Sequence, residues 1–589
     1  MSWEAWFTVA VVVAVLFLLI RDLLAPSAAM AAGMVAVLVA GIVTPSQALA
    51  GFSNPAPITV GALYVLARAV EKTGVLTPLV RQAMGDGAST RRSLARIVAP
   101  TSLVSGFLNN TPVVAMLIPE VSSWARQRGK SPSLFLMPLS FAALLGGVIT
   151  VIGTSTNIVV SGLLSESGFE PFGFFELGQV GLPIAVGGVL LLIALAPLLL
   201  KERRSAREEL EEDTRGFSVD MIVEDGGSLD GVAVEAGGLR HLRSTFLAAI
   251  EREDHVISLV APETMLHGGD RLRFVGAADD VVELQSIRGL ASAEHAHTLE
   301  LDTDARYFEV VVGPQSQLVG RTLKEVGFRA RYQAVVLAIH RAGHRVDSKL
   351  GEVRLRVGDT LLVLADTDFR ERWRDRPDFL MISGRQRAQV SMGRDAVVVG
   401  VVAFGIIAMA ATGVLPILES SLLGAVLLVA LGVLTPGEAR SAVDLDVILV
   451  IATAFGLAAA METSGLAAVL SSGLVDSFGS LGDLGVLMGI ALATMVLTGL
   501  VTNNAAALLM FPIAISSGGS TGIDPRALAV VVAVAASVDF LTPIGYQTNT
   551  MVYGPGGYRF FDYTRLGAPL TLLVVALILF VVPIAWPLR

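Results

Sequence analysis

The sequence predicts an α-helical polytopic membrane protein made of two inverted repeats, with small α+β domains inserted between them. Three observations carry this reading. The first 200 residues recur in diverged form after residue 390. Thr44-Pro45 matches Thr435-Pro436, Glu71 matches Glu462 and Gly74 matches Gly465, each 391 residues apart. Asn110 and Pro119 match Asn503 and Pro512 at 393, and Thr156-Asn157 matches Thr548-Asn549 at 392. Second, 53% of the 589 residues are hydrophobic, 16% are charged and the mean hydropathy is +0.68, which excludes an ordinary soluble enzyme. Third, 27 of the 43 Lys/Arg and 33 of the 52 Asp/Glu fall between Lys201 and Val390. Two apolar blocks therefore flank one water-soluble insert. Matching polar interruptions in two apolar halves are the signature of an inverted-repeat secondary transporter, with its site where the interruptions meet.

Taken in order, the first membrane repeat (1–200) has apolar runs near 5–20, 27–43, 56–70, 134–163 and 178–200, some at the short end of the ~17–25 residues that cross a bilayer. The run Trp6–Ile20 has no small-residue cleavage site, is followed by Arg21-Asp22 and has a counterpart at Val397–Ala411. It reads as a span rather than a signal peptide. The second repeat (391–589) has runs near 396–412, 420–434, 446–461, 525–552 and 566–587. Segments 95–123 and 484–515 are apolar but interrupted by Asn pairs, so they read as re-entrant hairpins, whose non-helical tips must line a cavity. Runs 134–163 and 525–552 read as broken helices for the same reason. Five spans and one hairpin make an odd number of crossings, which inverts the second half.

Loop charge orients the chain. Connections 44–55, 164–177, 413–421 and 462–483 hold no Lys or Arg. They alternate with connections carrying Arg81, Arg91, Arg92, Arg126, Arg128, Lys130, Arg440, Arg559 and Arg565. The chain is expected to be a multi-pass protein of the cell (inner) membrane, with the basic loops and the insert (201–390) on the cytoplasmic side; Arg526 is the dissenting charge. There is no cysteine, and a net charge of −9 gives no reason to expect nucleic acid.

The interruptions read Ser105-Gly106-Phe107-Leu108-Asn109-Asn110-Thr111-Pro112 and Gly153-Thr154-Ser155-Thr156-Asn157 in the first half. In the second they read Thr498-Gly499-Leu500-Val501-Thr502-Asn503-Asn504 and Thr542-Pro543-Ile544-Gly545-Tyr546-Gln547-Thr548-Asn549. Hydroxyl and amide oxygens beside unwound carbonyls suit a hard monovalent cation, whereas amide N–H groups and helix N-termini suit an anion. A lone Asn in a span more often stitches helices together; four clusters in matching places favour a site.

The tips resemble the Ser-Asn-Thr hairpin motifs of the divalent anion/sodium symporter family, within the ion transporter superfamily. Asn109-Asn110-Thr111 precedes Ile118-Pro119, and Thr502-Asn503-Asn504 precedes Phe511-Pro512, at that family's spacing. The resemblance covers both membrane repeats. It implies an elevator-type homodimeric carrier and one Na+ site on Ser105, Asn109, Asn110 and Gly153. A second Na+ site would use Thr498, Thr502, Asn503 and Gly545, with substrate between Asn110, Thr111, Thr156, Asn157, Asn503, Asn504, Thr548 and Asn549. Neither tip is a strict Ser-Asn-Thr, and the family's Thr-Pro-Pro-Asn is replaced by Thr-Ser-Thr-Asn and Tyr-Gln-Thr-Asn. Those departures resemble the sulfate-transporter branch, so the expected substrate is sulfate ahead of a dicarboxylate.

Asp539 lies inside an apolar run, where an ionisable group is a functional candidate by default. It reads equally as a cation or proton site and as a half-helix cap. Glu71 and Glu462 fall near helix ends and read as interfacial. All seven His lie in the insert, which excludes a membrane His relay.

The insert repeats at a spacing of 89: Gly231 matches Gly320, His255 matches His344, and Gly269-Asp270 matches Gly358-Asp359. Short β-rich runs such as Phe308–Val312, Val335–Ile339 and Thr360–Leu364 alternate with polar turns. The pattern Gly-x-x-Leu-x-x-x-Gly-Phe followed by Val-Gly-Asp-Thr-Leu-Leu-Val resembles the C-terminal lobe of potassium-conductance regulator (TrkA-C) domains. Two copies are expected, at 215–298 and 303–384. That resemblance implies dimerisation and a nucleotide-type regulatory ligand; a ligand-free scaffold is an equal alternative. No Gly-x-Gly-x-x-Gly fingerprint occurs, and His295-Ala-His297 lacks a third metal ligand. Competing readings are a nutrient sensor without net flux, a proton-coupled or other-anion carrier, and a K+ channel, which lacks a Thr-Val-Gly-Tyr-Gly filter. An enzyme is not expected, because no nucleophile–base set falls in the spans.

Overall fold

A computed structural model describes residues 1–21, 23–75, 84–85, 89–203, 218–239, 245–252, 255–257, 260–276, 287, 289–292, 306–313, 316–341, 344–346, 350–366, 368–373, 376, 378–384, 393–543 and 545–589. Two compact units separate: residues 1–203 with 388–589, and residues 204–387. Arg81 and the His295–His297 pair lie outside the described residues.

In the membrane unit the first half runs α1 (Trp3–Ile20), α2 (Pro26–Val39), α3 (Pro45–Ser53), α4 (Pro55–Thr73), α5 (Thr90–Ser105), α6 (Asn110–Gln127), α7 (Ser133–Gly147), α8 (Ser155–Glu166) and α9 (Gly178–Leu199). The second half follows the same order with α14 added among the described residues: α10 (Arg394–Thr412), α11 (Ile417–Ala430), α12 (Pro436–Ala442), α13 (Leu445–Thr463), α14 (Leu466–Phe478), α15 (Asp483–Thr498), α16 (Asn503–Thr521), α17 (Pro525–Ser537), α18 (Gln547–Tyr553) and α19 (Phe560–Ala585). Among the described residues, six helical stretches are long and apolar enough to cross a membrane.

Local chemistry sets these boundaries. Thr44 and Thr435 each close a capping box, with Gln47 and Glu438 returning the bond, and Pro45 and Pro436 occupy the first helical position. Proline is pre-set for that position because its missing N–H is unpaired there anyway. Asn54 breaks α3 from α4: its Oδ1 accepts from Ala56 N at 2.9 Å while its Nδ2 reaches Gly162 O at 3.3 Å. The expected connection 462–483 in fact contains α14. That stretch holds Glu462, Asp476 and Asp483 but no Lys or Arg, and because much of it is an apolar helix, the missing basic residues reflect helix composition as well as sidedness.

Helices apolar on every side divide into two classes. α1, α9, α10 and α19 leave Trp6, Leu190, Phe404 and Phe580 more than 60% exposed, as lipid-facing helices do. By contrast every residue of α7 is buried, as are Ala527 to Ser537 of α17. Apolar side chains gain nothing over lipid by packing together, so such helices need close backbone approach. Gly146 provides it: a Cβ there would lie 2.0 Å from the Ser102 carbonyl of α5. The first half of each broken helix is thus fixed at the centre of the unit.

Arg526, the dissenting charge, is neutralised in place. Its Nε and Nη2 bond the two Glu176 oxygens at 2.5 and 2.6 Å, and its other donors reach the Glu170 and Pro171 carbonyls. Burial disfavours the charged Glu176. The Arg526, Gly173 N–H and Trp586 bonds outweigh it and hold the carboxyl below its ordinary pKa. A group depressed in this way stabilises the fold above its unfolded pKa and loses that contribution as pH falls through the folded value. Arg526→Ala is expected to cost about 2 kcal/mol, below the figure for a fully buried broken pair. The melting difference from wild type should be constant from pH 8 to 6 and shrink below pH 4.

Among the described residues, the second unit holds two five-stranded antiparallel sheets. The strands are β1 (Ser218–Val223), β2 (Thr245–Arg252), β3 (His255–Ile257), β4 (Arg271–Gly276), β5 (Leu290–Ser292), β6 (Arg306–Val312), β7 (Ala334–Arg341), β8 (His344–Arg345), β9 (Thr360–Ala365) and β10 (Phe379–Gly384). Their orders, β3-β2-β4-β1-β5 and β10-β6-β9-β7-β8, are one topology written in opposite directions. Even the irregularities repeat at 89, with register shifts at Leu247/Ala249 and Val336/Ala338. Arg252 clasps Asp270 at 2.7 and 2.6 Å, and Arg341 clasps Asp359 at 2.8 and 2.7 Å. Here water is the competitor, so Phe308, Val310, Leu361 and Val363 each contribute about 2 kcal/mol by burial.

Candidate functional site

Four helices begin at the polar interruptions, and they begin alike. Asn109 and Thr502 are N-caps, their side-chain oxygens accepting from Thr111 N and Ala505 N at 3.4 Å. Asn110 and Asn503 are the first residues of α6 and α16. Thr154 (φ −142°, ψ 148°) and Tyr546 (φ −132°, ψ 137°) are the extended residues before α8 and α18. Each start leaves backbone N–H groups without helical partners. The starts meet across the repeats: Asn110 Nδ2 donates to Tyr546 Oη at 2.7 Å and Thr111 Oγ1 to Gln547 Oε1 at 3.2 Å. Ser155 and Thr156 hydroxyls donate to Asn504 Oδ1 at 3.3 and 3.2 Å.

Within each repeat the same bonds recur. Ser105, the last residue of α5, donates to Asn110 Oδ1 at 2.7 Å; Thr498, the last of α15, donates to Asn503 Oδ1 at 3.2 Å. Asn157 Nδ2 bonds the carbonyls ten and seven residues earlier, Gly147 and Thr150, at 3.1 and 2.9 Å. Asn549 Nδ2 bonds those at the same offsets, Asp539 and Thr542, at 2.8 and 3.2 Å. These amides satisfy carbonyls that the helix break releases, which must be paired at membrane depth.

A second set of bonds crosses between repeats. Ser140 on α7 donates toward Asn549 Oδ1 at 2.8 Å and Thr548 Oγ1 at 2.9 Å, and Ser537 on α17 donates to Asn157 Oδ1 at 3.2 Å. Sequence reasoning missed both serines. Their only signal is a hydroxyl inside an apolar run, which usually bonds the carbonyl four residues back, as Ser537 also does to Ala533 O at 2.6 Å. The expected site residues thus fall at the four helix starts, at the two breaks or, for Ser105 and Thr498, at the ends of the helices that lead to the tips, but their roles differ. Asn157, Thr548 and Asn549 are fully buried, with the Asn amides committed to protein partners. Asn110, Thr111, Thr156, Asn503 and Asn504 lie where the starts face one another.

The two halves differ at the hairpin tips. Tyr546 fills the space at the Asn110 tip, and its hydroxyl also lies 3.4 Å from Thr154 Oγ1. Thr154 is its counterpart 392 residues earlier and is too short to do the same at Asn503. There Asn503 Nδ2 is buried without a hydrogen-bond acceptor. A buried amide donor left unpaired costs roughly 1–3 kcal/mol, so it marks a place for an incoming oxygen.

Glycines sit where the breaks press on other groups. A Cβ on Gly153 would lie 2.5 Å from Gly147 O, and one on Gly545 would lie 1.7 Å from Asp539 Oδ2. Asp539 is 4% exposed and accepts from Leu541 N at 3.2 Å and Thr542 Oγ1 at 3.1 Å. It does cap the break. Glu71 closes α4 and pairs with Arg68 at 3.1 Å, while Glu462 lies exposed near the end of α13.

The citrate transporter family model matches residues 14–418 and 407–588. The chain is 36% identical to an uncharacterized transporter of Synechocystis sp. over 586 residues, spanning 96% of this chain and 95% of that one. It is 34% identical to a Chlamydomonas reinhardtii protein provisionally named a sulfur deprivation response regulator, spanning 94% and 97%. It is 25% identical to sodium/sulfate cotransporter 2 of the same alga, spanning 91% and 84%.

Proposed function

Because this chain belongs to the citrate transporter family, we propose that it is a Na+-coupled secondary active transporter of a small divalent anion, with sulfate preferred to a dicarboxylate. A multi-pass anion transporter follows from the family and the apolar helices; the coupling ion and the substrate are our reading. The observation that carries it is the orphaned Asn503 Nδ2 among four helix starts. The residues named at those starts include no Lys, Arg or His, so the donors are neutral amides, hydroxyls and backbone N–H groups. Such a set suits a compact tetrahedral dianion, whose oxygens accept from several directions and whose charge is met by helix N-termini. The sodium/sulfate cotransporters among the relatives support the same choice.

In this reading the anion takes donors from Asn503, Asn504, Thr111, Thr156 and the Asn110 tip. Asn157, Thr548 and Asn549 hold the breaks open around it. Na+ sites on Ser105, Asn109, Asn110 and Gly153, and on Thr498, Thr502, Asn503 and Gly545, suit a hard cation that prefers oxygen ligands. Binding both charges together lets the paired repeats carry a dianion through lipid at little electrostatic cost. An elevator motion, a homodimer, and gating by TrkA-C-like domains with a nucleotide-type ligand complete the proposal, as does a cytoplasmic insert in a cell membrane.

The test is radiolabelled sulfate uptake into proteoliposomes with and without an inward Na+ gradient, with succinate as competitor. Na+-dependent uptake that resists succinate is expected. Succinate uptake without sulfate uptake would move the substrate to dicarboxylates. Deleting residues 215–384 should change regulation or dimer stability and leave the sulfate-over-succinate preference intact. A second reading, a sensor without flux, is favoured by the relative named for the sulfur deprivation response; saturable binding without uptake would support it.

A further inference from the structure

The two repeats give their cation sites different charges. At an offset of 392, Gly147 corresponds to Asp539 and Gly153 to Gly545, and the matching Asn157 and Asn549 bonds to Gly147 O and Asp539 O place the two positions alike. In the first repeat a side chain at 147 is excluded, since a Cβ there would lie 2.6 Å from Asn110 Oδ1. In the second repeat the same position carries a carboxylate, and its Oδ2 is directed onto the Gly545 backbone. Gly499 of the hairpin adjoins the same spot, its Cα 3.2 Å from where a Gly545 Cβ would stand. Thr498, the residue before Gly499, has its Oγ1 bonded to Asn503 Oδ1 and Ala536 O.

Capping bonds do not account for this carboxylate. The Leu541 N–H, the Thr542 hydroxyl and the Thr542 N–H use three of about four acceptor positions, and among the described residues Asp539 forms no ion pair with Lys, Arg or His. A carboxylate buried without a counter-charge costs several kcal/mol. An Asn would still cap, accepting from Leu541 N through Oδ1 and donating from Nδ2 to Thr542 Oγ1, so capping alone does not require the charge. We propose that Asp539 supplies a carboxylate ligand to the cation site of the second repeat, beside the Gly545 backbone, Thr498 and Asn503. The second site is then charge-neutral when filled, whereas the first, built of uncharged ligands, carries the cation's full charge. This deepens the Na+-coupled reading and rests on it.

The experiment is equilibrium binding of radiolabelled Na+ to the purified full-length protein, without anion, for wild type, Asp539→Asn and Asp539→Glu. Asp539→Asn removes the charge, keeps the Leu541 N–H bond to Oδ1 and reverses the other, its Nδ2 donating to Thr542 Oγ1. Wild type should bind two Na+ per protomer. Asp539→Asn should retain one and weaken the other at least tenfold, with its melting temperature no longer raised by NaCl relative to choline chloride to the wild-type extent. Equal stoichiometry and affinity in wild type and Asp539→Asn would overturn the assignment while leaving Na+ coupling intact. If wild type binds no Na+, both this assignment and the coupling reading fall. Should Asp539→Asn not fold, Asp539→Glu decides: its longer arm should shift Na+ affinity and the Li+/Na+ preference, and unchanged values would overturn the proposal.

Discussion

Asn503→Ala should lower the initial rate of Na+-driven sulfate uptake about 100-fold and leave the melting temperature within a degree or two of wild type. The asymmetry follows from what the side chain does in the anion-free protein. Its Nδ2 has no acceptor to lose, and Thr498, which donates to its Oδ1, keeps a second acceptor at Ala536 O 3.0 Å away. Stability therefore changes little. With a dianion present, the same Nδ2 makes a hydrogen bond to a charged acceptor worth about 3 kcal/mol, or roughly two powers of ten in affinity. Asn110→Ala should combine loss of uptake with a clear loss of stability, because that side chain bonds both Ser105 and Tyr546. Normal sulfate uptake by Asn503→Ala would remove the second tip from the site.

The second large effect is structural. Asn549→Ala should destabilise the protein by about 4 kcal/mol, read as reduced yield and a melting temperature lowered by several degrees. Hydrogen bonds between membrane helices average only about 0.6 kcal/mol, because the separated groups find other partners. That discount does not apply here. The Asp539 and Thr542 carbonyls lie at a helix break with no following turn to pair them, and Ser140 loses an acceptor. Unpaired groups at membrane depth cost several kcal/mol each. Asn549→Asp, which keeps the acceptor and loses the donor, should recover only part of the loss. A melting temperature equal to wild type in Asn549→Ala would mean that water or another donor reaches those carbonyls.

These two asparagines look alike in sequence, and the contrast shows where sequence reading stops. The repeats were legible because a polar interruption in a membrane helix is costly and must be matched by a partner, so Asn109-Asn110, Thr156-Asn157 and their counterparts stand out against Val, Leu and Ala. The insert was legible for a related reason: glycine turns such as Gly269 and Gly358, with φ of 81° and 83°, punctuate the strands at a constant spacing. Which Asn donates to its own helix break and which is left free depends on groups hundreds of residues away. Tyr546 reaching Asn110 across 436 positions is not encoded in either motif. Helix α14 is also hidden, because the absence of Lys and Arg from 462–483 speaks to sidedness and not to helix.

The crossing bonds from Ser140 to Asn549 and from Ser537 to Asn157 bear on how such a chain can change over time. Each repeat holds the other's broken helix, so neither is a module with half of the activity. A duplicated gene usually frees one copy to accumulate substitutions. Here a substitution in either copy is felt in the other, and the two halves are bound to a shared history even as the residues between those contacts diverge.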